Sequence, residues 1–172
     1  MKKTVSVLLS AILLSSCLPR NVQVPQSPLL PFLERKSGLI AYIGADLNIY
    51  TSDQSGRNLV AHTDDAVLPE QATAPYRYYV YPAWSPDGES LGFVSISGQG
   101  TETTSEVYIA DIDAEANQKV YTSQTEHPFY LHWSPDSTNL GILTTTANGQ
   151  SMILQSVSSE SDTPTILDSG AP

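Results

Sequence analysis

The chain has one cysteine, Cys17, in 172 residues. No intramolecular disulfide can therefore form. Basic residues are nearly as scarce, with 8 Lys and Arg against 18 Asp and Glu and a net charge of −10. No segment gathers more than two of them side by side. Nucleic acid and anionic lipid surfaces both recruit clustered Lys and Arg, so neither is expected as a partner. The acid surplus keeps the protein soluble. Long apolar runs are also missing: the longest, Val5 to Leu14, is broken at Ser6 and Ser10. At the helical rise it is too short to cross a hydrocarbon core. Strong helix formers are few, while Ser, Thr, Val, Ile and Tyr are frequent, which favours strands. His62, His127 and His132 have no partner histidine or cysteine at ligand spacing, so no metal and no cofactor is expected.

The first residues read as an address. Lys2 and Lys3 form a positive n-region ahead of the apolar run, the pattern of a signal peptide over residues 1–16. Leu14-Ser15-Ser16-Cys17 then resembles the lipobox of bacterial lipoproteins. That resemblance implies acylation of Cys17, a new N-terminus there, and attachment to a membrane through lipid. Two or more acyl chains anchor stably, each buried methylene contributing about 0.8 kcal/mol. Cleavage removes two lysines and no acid, leaving 6 basic and 18 acidic residues, a charge of −12. Leu18 follows the cysteine, which implies the outer membrane, facing the periplasm, in a Gram-negative host. In a Gram-positive host the same signal implies the outer face of the plasma membrane. Residues 17–37 carry Pro19, Pro25, Pro28 and Pro31 and read as a semi-extended tether. Within it Leu29, Leu30, Phe32 and Leu33 are apolar enough to dock on the domain beyond the tether.

From residue 38 to 172 the chain repeats. Trp84-Ser85-Pro86-Asp87 returns as Trp133-Ser134-Pro135-Asp136, 49 residues later, and both copies continue to Leu-Gly (Leu91-Gly92, Leu140-Gly141). A blade-sized period of this kind points to a β-propeller. Leu39 to Ile43 aligns with Ser90 to Val94 and Asn139 to Leu143. Apolar segments then recur at Leu47-Asn48-Ile49, Val107 to Ile109 and Met152 to Leu154. A further set falls at Leu59-Val60, Val120-Tyr121 and Ile166-Leu167, with polar turns between. Each unit reads as a four-stranded antiparallel blade, with the first lacking its opening tryptophan strand.

Ser85-Pro86-Asp87-Gly88 suits a tight hairpin: proline presets φ and glycine supplies the positive φ at the end. Ser137 replaces that glycine in the second copy, a costly choice if positive φ is still required. Ala41, Gly92 and Gly141 share one aligned position, where a small residue suits close approach of a neighbouring sheet. The Trp-Ser-Pro-Asp-Gly segment with its following strands resembles the blades of TolB-type propellers. It is also similar to the N-terminal propellers of prolyl-oligopeptidase-type serine peptidases. The expected fold is all-β, a partial propeller of about three blade units. Rings close with four or more blades, so the ring is expected to be open in this chain. That implies the N-terminal part of a longer propeller, a truncated product of one, a self-associating open array or a small sandwich-like assembly.

Two motifs dissolve on inspection. Gly88-Glu89-Ser90-Leu91-Gly92 matches the nucleophile elbow in letters, but a strand comes after it and not a helix. Asp111-x-Asp113-x-Glu115 lacks the glycine and further ligands of a calcium loop and reads as a turn. His132, just before Trp133, reads as a packing or hydrogen-bonding residue. One cluster stands out as a partner-binding candidate: Tyr76, Arg77, Tyr78 and Tyr79, after a connection (63–74) longer than its counterpart at 123–126. Tyrosine and arginine bring rigid area with a polar end, although alternate tyrosines also serve to pack between blades. No catalytic residue is assigned. The resemblance implies a non-catalytic envelope platform for a protein or envelope-polymer partner. A gating propeller whose peptidase domain lies elsewhere, or a carbohydrate-binding envelope protein, are the alternatives.

Overall fold

The structure is a computed structural model, and it describes residues 38–170 apart from 115, 147 and 159. The expected signal peptide, Cys17 and the tether lie outside the described residues. Among the described residues eleven strands form three antiparallel sheets. The first sheet holds β1 (Ile40–Ile43), β2 (Ile49–Ser52) and β3 (Val60–Ala61). The second holds β4 (Pro75–Trp84), β5 (Ser90–Gln99), β6 (Glu102–Asp111) and β7 (Asn117–Ser123). The third holds β8 (Glu126–Trp133), β9 (Leu140–Thr146), β10 (Met152–Ser158) and β11 (Ser161–Gly170). Strands pair in chain order within each sheet, so every connection inside a sheet is a hairpin and the sheets are the three expected units. One detail differs. Leu47, expected within a strand, occupies the β1–β2 turn at φ +65°, and β2 begins at Ile49.

Two cores explain why the sheets stack. Ile49 of the first sheet meets Tyr79, Leu91, Phe93 and Ala110 of the second. On the other side Val94, Val107 and Ile109 meet Leu131, Trp133, Leu140 and Ile142 of the third. Strand alternation produces both cores from one strand, since Leu91 and Phe93 point one way and Gly92 and Val94 the other. Residues 91–95 are consequently buried without a break. Each fully buried Val, Leu or Phe here contributes roughly 1.5–3 kcal/mol. At Gly92 the second and third sheets approach closely. A Cβ built on it would lie 3.0 Å from Leu140 Cδ2. Among the described residues the outward faces of the first and third sheets stay uncovered: Ile40, Tyr42, Tyr130 and Leu154 are exposed.

The Ser-Pro-Asp hairpins are built alike. Ser85 N–H donates to Ser90 O, Ser85 Oγ donates to Asp87 Oδ1 at 2.6 Å, and Ser90 N–H donates to Ser85 Oγ. Ser134, Asp136 and Asn139 repeat these bonds. Ser90 therefore begins a strand and cannot serve as an elbow nucleophile. Gly88 closes its turn at φ +74° and Ser137 closes the other at φ +62°, so the serine does adopt the left-handed region. It gains something in return, for its hydroxyl accepts from Asp87 N–H across the two sheets at 3.1 Å. Trp133 makes a second such link, its Nε1–H donating to Ala83 O at 3.0 Å.

Candidate functional site

The four residues Tyr76, Arg77, Tyr78 and Tyr79 all lie on β4, and strand alternation divides them between its two faces. Tyr76 and Tyr78 stack on each other with ring centroids 6.2 Å apart, and Tyr76 Oη meets Thr103 Oγ1 at 2.8 Å. They belong to the face that carries Val94. Arg77 and Tyr79 belong to the opposite face, which meets the first sheet. The four do not form one patch.

What Arg77 and Tyr79 do form is the floor of a polar cleft of about 250 Å³. Its walls include Asp65, His62, Tyr108 and Asn117. The long connection between β3 and β4 supplies one wall by pairing back onto β4: Val67 and Arg77 exchange backbone hydrogen bonds at 2.7 and 2.9 Å. That pairing is why this connection is longer than the one after β7, and it covers part of an otherwise open sheet edge. Tyr79 N–H is likewise taken up by Leu47 O of the β1–β2 turn.

An ionic cluster runs from the cleft along the same face of the sheet. Arg77 pairs with Asp65 at 3.3 Å and lies 3.9 Å from Glu106, while Lys119 donates to Glu106 at 2.9 Å. Tyr79 Oη donates to Asp65 Oδ1, and Tyr108 Oη to Glu106 Oε2 at 3.0 Å. Burial, then the bond to Asp65, pushes the Tyr79 hydroxyl up to about 12. Burial and the Glu106 carboxylate raise Tyr108 as well. Glu106 is held below the usual carboxylate range: burial opposes this, and the bonds from Lys119 and Tyr108 outweigh it. His62, 3.0 Å from Thr51 Oγ1, is pushed down by burial. At neutral pH both tyrosines are protonated donors and Glu106 is an ionised acceptor, so none of the three is poised to exchange a proton there. The arrangement suits holding a polar group against a rigid, prepaired surface.

Sequence reasoning missed Asp65, Glu106, Tyr108 and Lys119. One signal was present. Glu106 alternates in phase with Tyr108 along β6, which places a charged residue on an inward face, and buried carboxylates are rarely unpaired. His132 proves to be exposed and stacks on Tyr130, centroids 6.3 Å apart. His127 Nδ1 meets Ser105 Oγ across the second and third sheets at 3.1 Å. Asp113 N–H bonds Asp111 Oδ1 in a turn; Glu115 lies outside the described residues. Among the described residues, no three His, Cys, Asp or Glu side chains gather as a metal site would require.

No family model matches the sequence, and no curated protein matches it. Solved structures do resemble the fold. A protein from Bacteroides ovatus ATCC 8483, described as a dipeptidyl aminopeptidase IV, matches at TM-score 0.54 and 15% identity over 79% of this chain and 24% of its own. An oligogalacturonate lyase in complex with manganese matches at TM-score 0.51 and 15% identity, over 74% of this chain and 32% of its own. The β-propeller domain of the trilobed protease from Pyrococcus furiosus, with its open velcro topology, matches at 0.48 and 14%, over 78% of this chain and 38% of its own. The chain is a partial β-propeller. Among the described residues its three sheets do not close a ring, and the chain spans about a quarter to a third of the length of the first two structures. At such identities the likeness concerns fold and not activity.

Proposed function

We propose that the protein is a non-catalytic envelope lipoprotein, tethered through Cys17, whose blades act as an interaction or ligand-binding platform of the TolB type. The observation that carries this reading is the cleft at Arg77. It gathers donors and acceptors from the β3–β4 connection and from the strands of one sheet, and its tyrosine hydroxyls and carboxylates are already paired with one another. Recognition surfaces are commonly made of such groups, with loops positioned by a scaffold. The partner is a protein or an envelope polymer with polar groups to place beside Arg77 and Lys119.

The test uses residues 18–172 immobilised and exposed to envelope extract. Arg77→Ala and Lys119→Ala should each cut partner capture several-fold, while Tyr130→Ala, on the uncovered face of the third sheet, should not. Tyr79 is a core residue, so Tyr79→Phe is its proper probe. Equal capture by wild type and both cation variants would remove the cleft from consideration. Incorporation of a labelled fatty acid that is abolished by Cys17→Ser tests the anchor.

A second reading is a gating propeller of a prolyl-oligopeptidase-type peptidase. The fold likeness to the Bacteroides protein described as a dipeptidyl aminopeptidase IV is compatible with it. A hydrolase domain encoded downstream in the same reading frame would decide for it.

A further inference from the structure

We propose that two copies of the chain stack head to tail and close into one ring. The outward face of the third sheet of each copy would cover the outward face of the first sheet of the other. Those two faces are the halves of an interface that the chain already makes twice. Between the first and second sheets, Ala41 and Ile49 meet Leu91 and Phe93. Between the second and third, Gly92 and Val94 meet Leu140 and Ile142. Each time, the face with the small residue of the repeat takes the face with the large ones.

One further step of that stack has both its halves present and unmatched. The receiving half is the face of Gly141 and Leu143, which repeat Gly92 and Val94. The inserting half is the face of Ile40 and Tyr42, which repeat Leu140 and Ile142. Ile40 and Tyr42 are exposed. A Cβ built on Gly92 would lie 3.0 Å from Leu140 Cδ2, whereas one built on Gly141 would meet only His132 O of its own sheet. The hollow that Leu140 fills at Gly92 thus stands open at Gly141, and Ile40 of a second copy is the side chain that the repeat assigns to it.

Charge points to the same pair of faces. At a net charge of −10 two copies repel, so they can meet closely only where neither carries charge. The outward positions of β9 and β10 are Gly141, Leu143, Thr145, Met152, Leu154 and Ser156, which the strand register places on one side. On β1 and β2 they are Ile40, Tyr42, Tyr50 and Ser52. None of the ten is charged. A contact between unlike faces continues indefinitely unless the assembly closes. Two copies bring three sheets each, a total within the range of closed propeller rings, and two-fold symmetry makes the contact twice. The cleft at Arg77 lies between the first and second sheets of each copy and stays open.

Sedimentation equilibrium of the protein from residue 17 on, with Cys17→Ser so that no lipid can associate it, tests the assembly. The parent should show the mass of two chains, falling to one on dilution, with nothing larger. Ile40→Asp and Leu154→Asp change side chains that are exposed in the single chain, so each should fold and each should weaken association at least about tenfold. Gly141→Ala, mild for the separated chain, should weaken association as well. Cross-linking reads which faces meet. Chains carrying Ile40→Cys are mixed with differently tagged chains carrying Gly141→Cys and treated with a short bismaleimide. Mixed-tag products should dominate, while chains with Ile40→Cys alone should give few. A single-chain mass up to the highest soluble concentration, an open-ended assembly, or no preference for the mixed pair overturns the proposal. If an aspartate variant fails to fold, its near-ultraviolet spectrum shows it, and the mixed cross-link decides.

Discussion

The second and third sheets place different chemistry at the same repeat positions. In the second, Arg77 on the inner strand faces Glu106 two strands away, and Lys119 and Asp65 complete an ionic cluster. Forty-nine residues later those positions are Glu126 and Gln155. There the carboxylate accepts from Gln155 Nε2 at 2.7 Å and from Tyr121 Oη at 2.6 Å, with Thr144 Oγ1 at 3.4 Å. One seam is held by opposite charges and the other by a single carboxylate with neutral donors. The Trp-Ser-Pro-Asp frame around them is the same. The repeat thus keeps what positions the strands and leaves the polar seam free to vary, and that freedom is where a binding site has room to arise.

The largest effect should come from truncating the shared second position. Glu106 has a side chain only 10% exposed, against 32% for Arg77 and 49% for Lys119. Glu106→Ala leaves Lys119 without its carboxylate and Arg77 with Asp65 alone, at a partly buried site. Removing one member of a fully buried pair costs 3–5 kcal/mol; both cations still reach water, so about 2–3 kcal/mol is expected here. Gln155→Ala leaves Glu126 its tyrosine donor and should cost about 1 kcal/mol. Urea midpoints measure both. Equal losses would mean that the ionic seam carries no special weight.

Acid should separate the seams too. The folded-state pKa of Glu106 is depressed, so the stability it contributes is present above the unfolded carboxylate range. It is lost as pH falls from that range through the folded value. His62 is also depressed, by burial, so the unfolded chain takes up its proton first and stability begins to fall below about pH 6.5. Melting temperatures between pH 7 and 3 should therefore fall in two stages. Glu106→Gln should flatten the lower one and His62→Gln the upper.

Covered and uncovered faces offer the next contrast. Gly92→Ala pushes a methyl against Leu140 Cδ2 and should cost about 1–2 kcal/mol as the side chain is forced aside. Gly141 holds the same repeat position on the outward face of the third sheet. A Cβ there would meet only His132 O of its own sheet, at 3.1 Å. Gly141→Ala should cost less, about 0.5 kcal/mol. A larger loss at Gly141 would show that this face is covered in solution.

These contrasts also show what was legible in the sequence. Tryptophan spacing, hairpin chemistry and the small residue at 92 are local or periodic signals, and each led to the observed strand, turn or close approach. The cleft was not legible in the same way. Asp65, Arg77, Glu106 and Lys119 come from four segments, and only the stacking of two sheets brings them together. The tyrosine run divides for a simpler reason: adjacency in sequence is opposition in a strand. Leu47 was placed in a strand by its hydrophobicity, while its backbone is needed in a left-handed turn. Leu47 O then serves as the acceptor for Tyr79 N–H.

The smallest effect should come from the hairpin ends, where two terms oppose. Gly88 and Ser137 hold the same left-handed turn position, a conformation that costs a residue with a Cβ roughly 1 kcal/mol. Ser137 offsets this by accepting from Asp87 N–H in the neighbouring sheet, an exposed bond of at most about 1 kcal/mol. Ser137→Gly relieves the strain and loses the bond, so the midpoint should move by less than about 0.5 kcal/mol. Ser137→Ala keeps the strain and loses the bond, so it should cost about 1 kcal/mol. The difference between the two variants isolates the strain, and the difference between Ser137→Ala and wild type isolates the bridge. If alanine proved harmless, the hydrogen bond between the hairpins would have no energetic weight, and the serine would be a tolerated strain with nothing set against it.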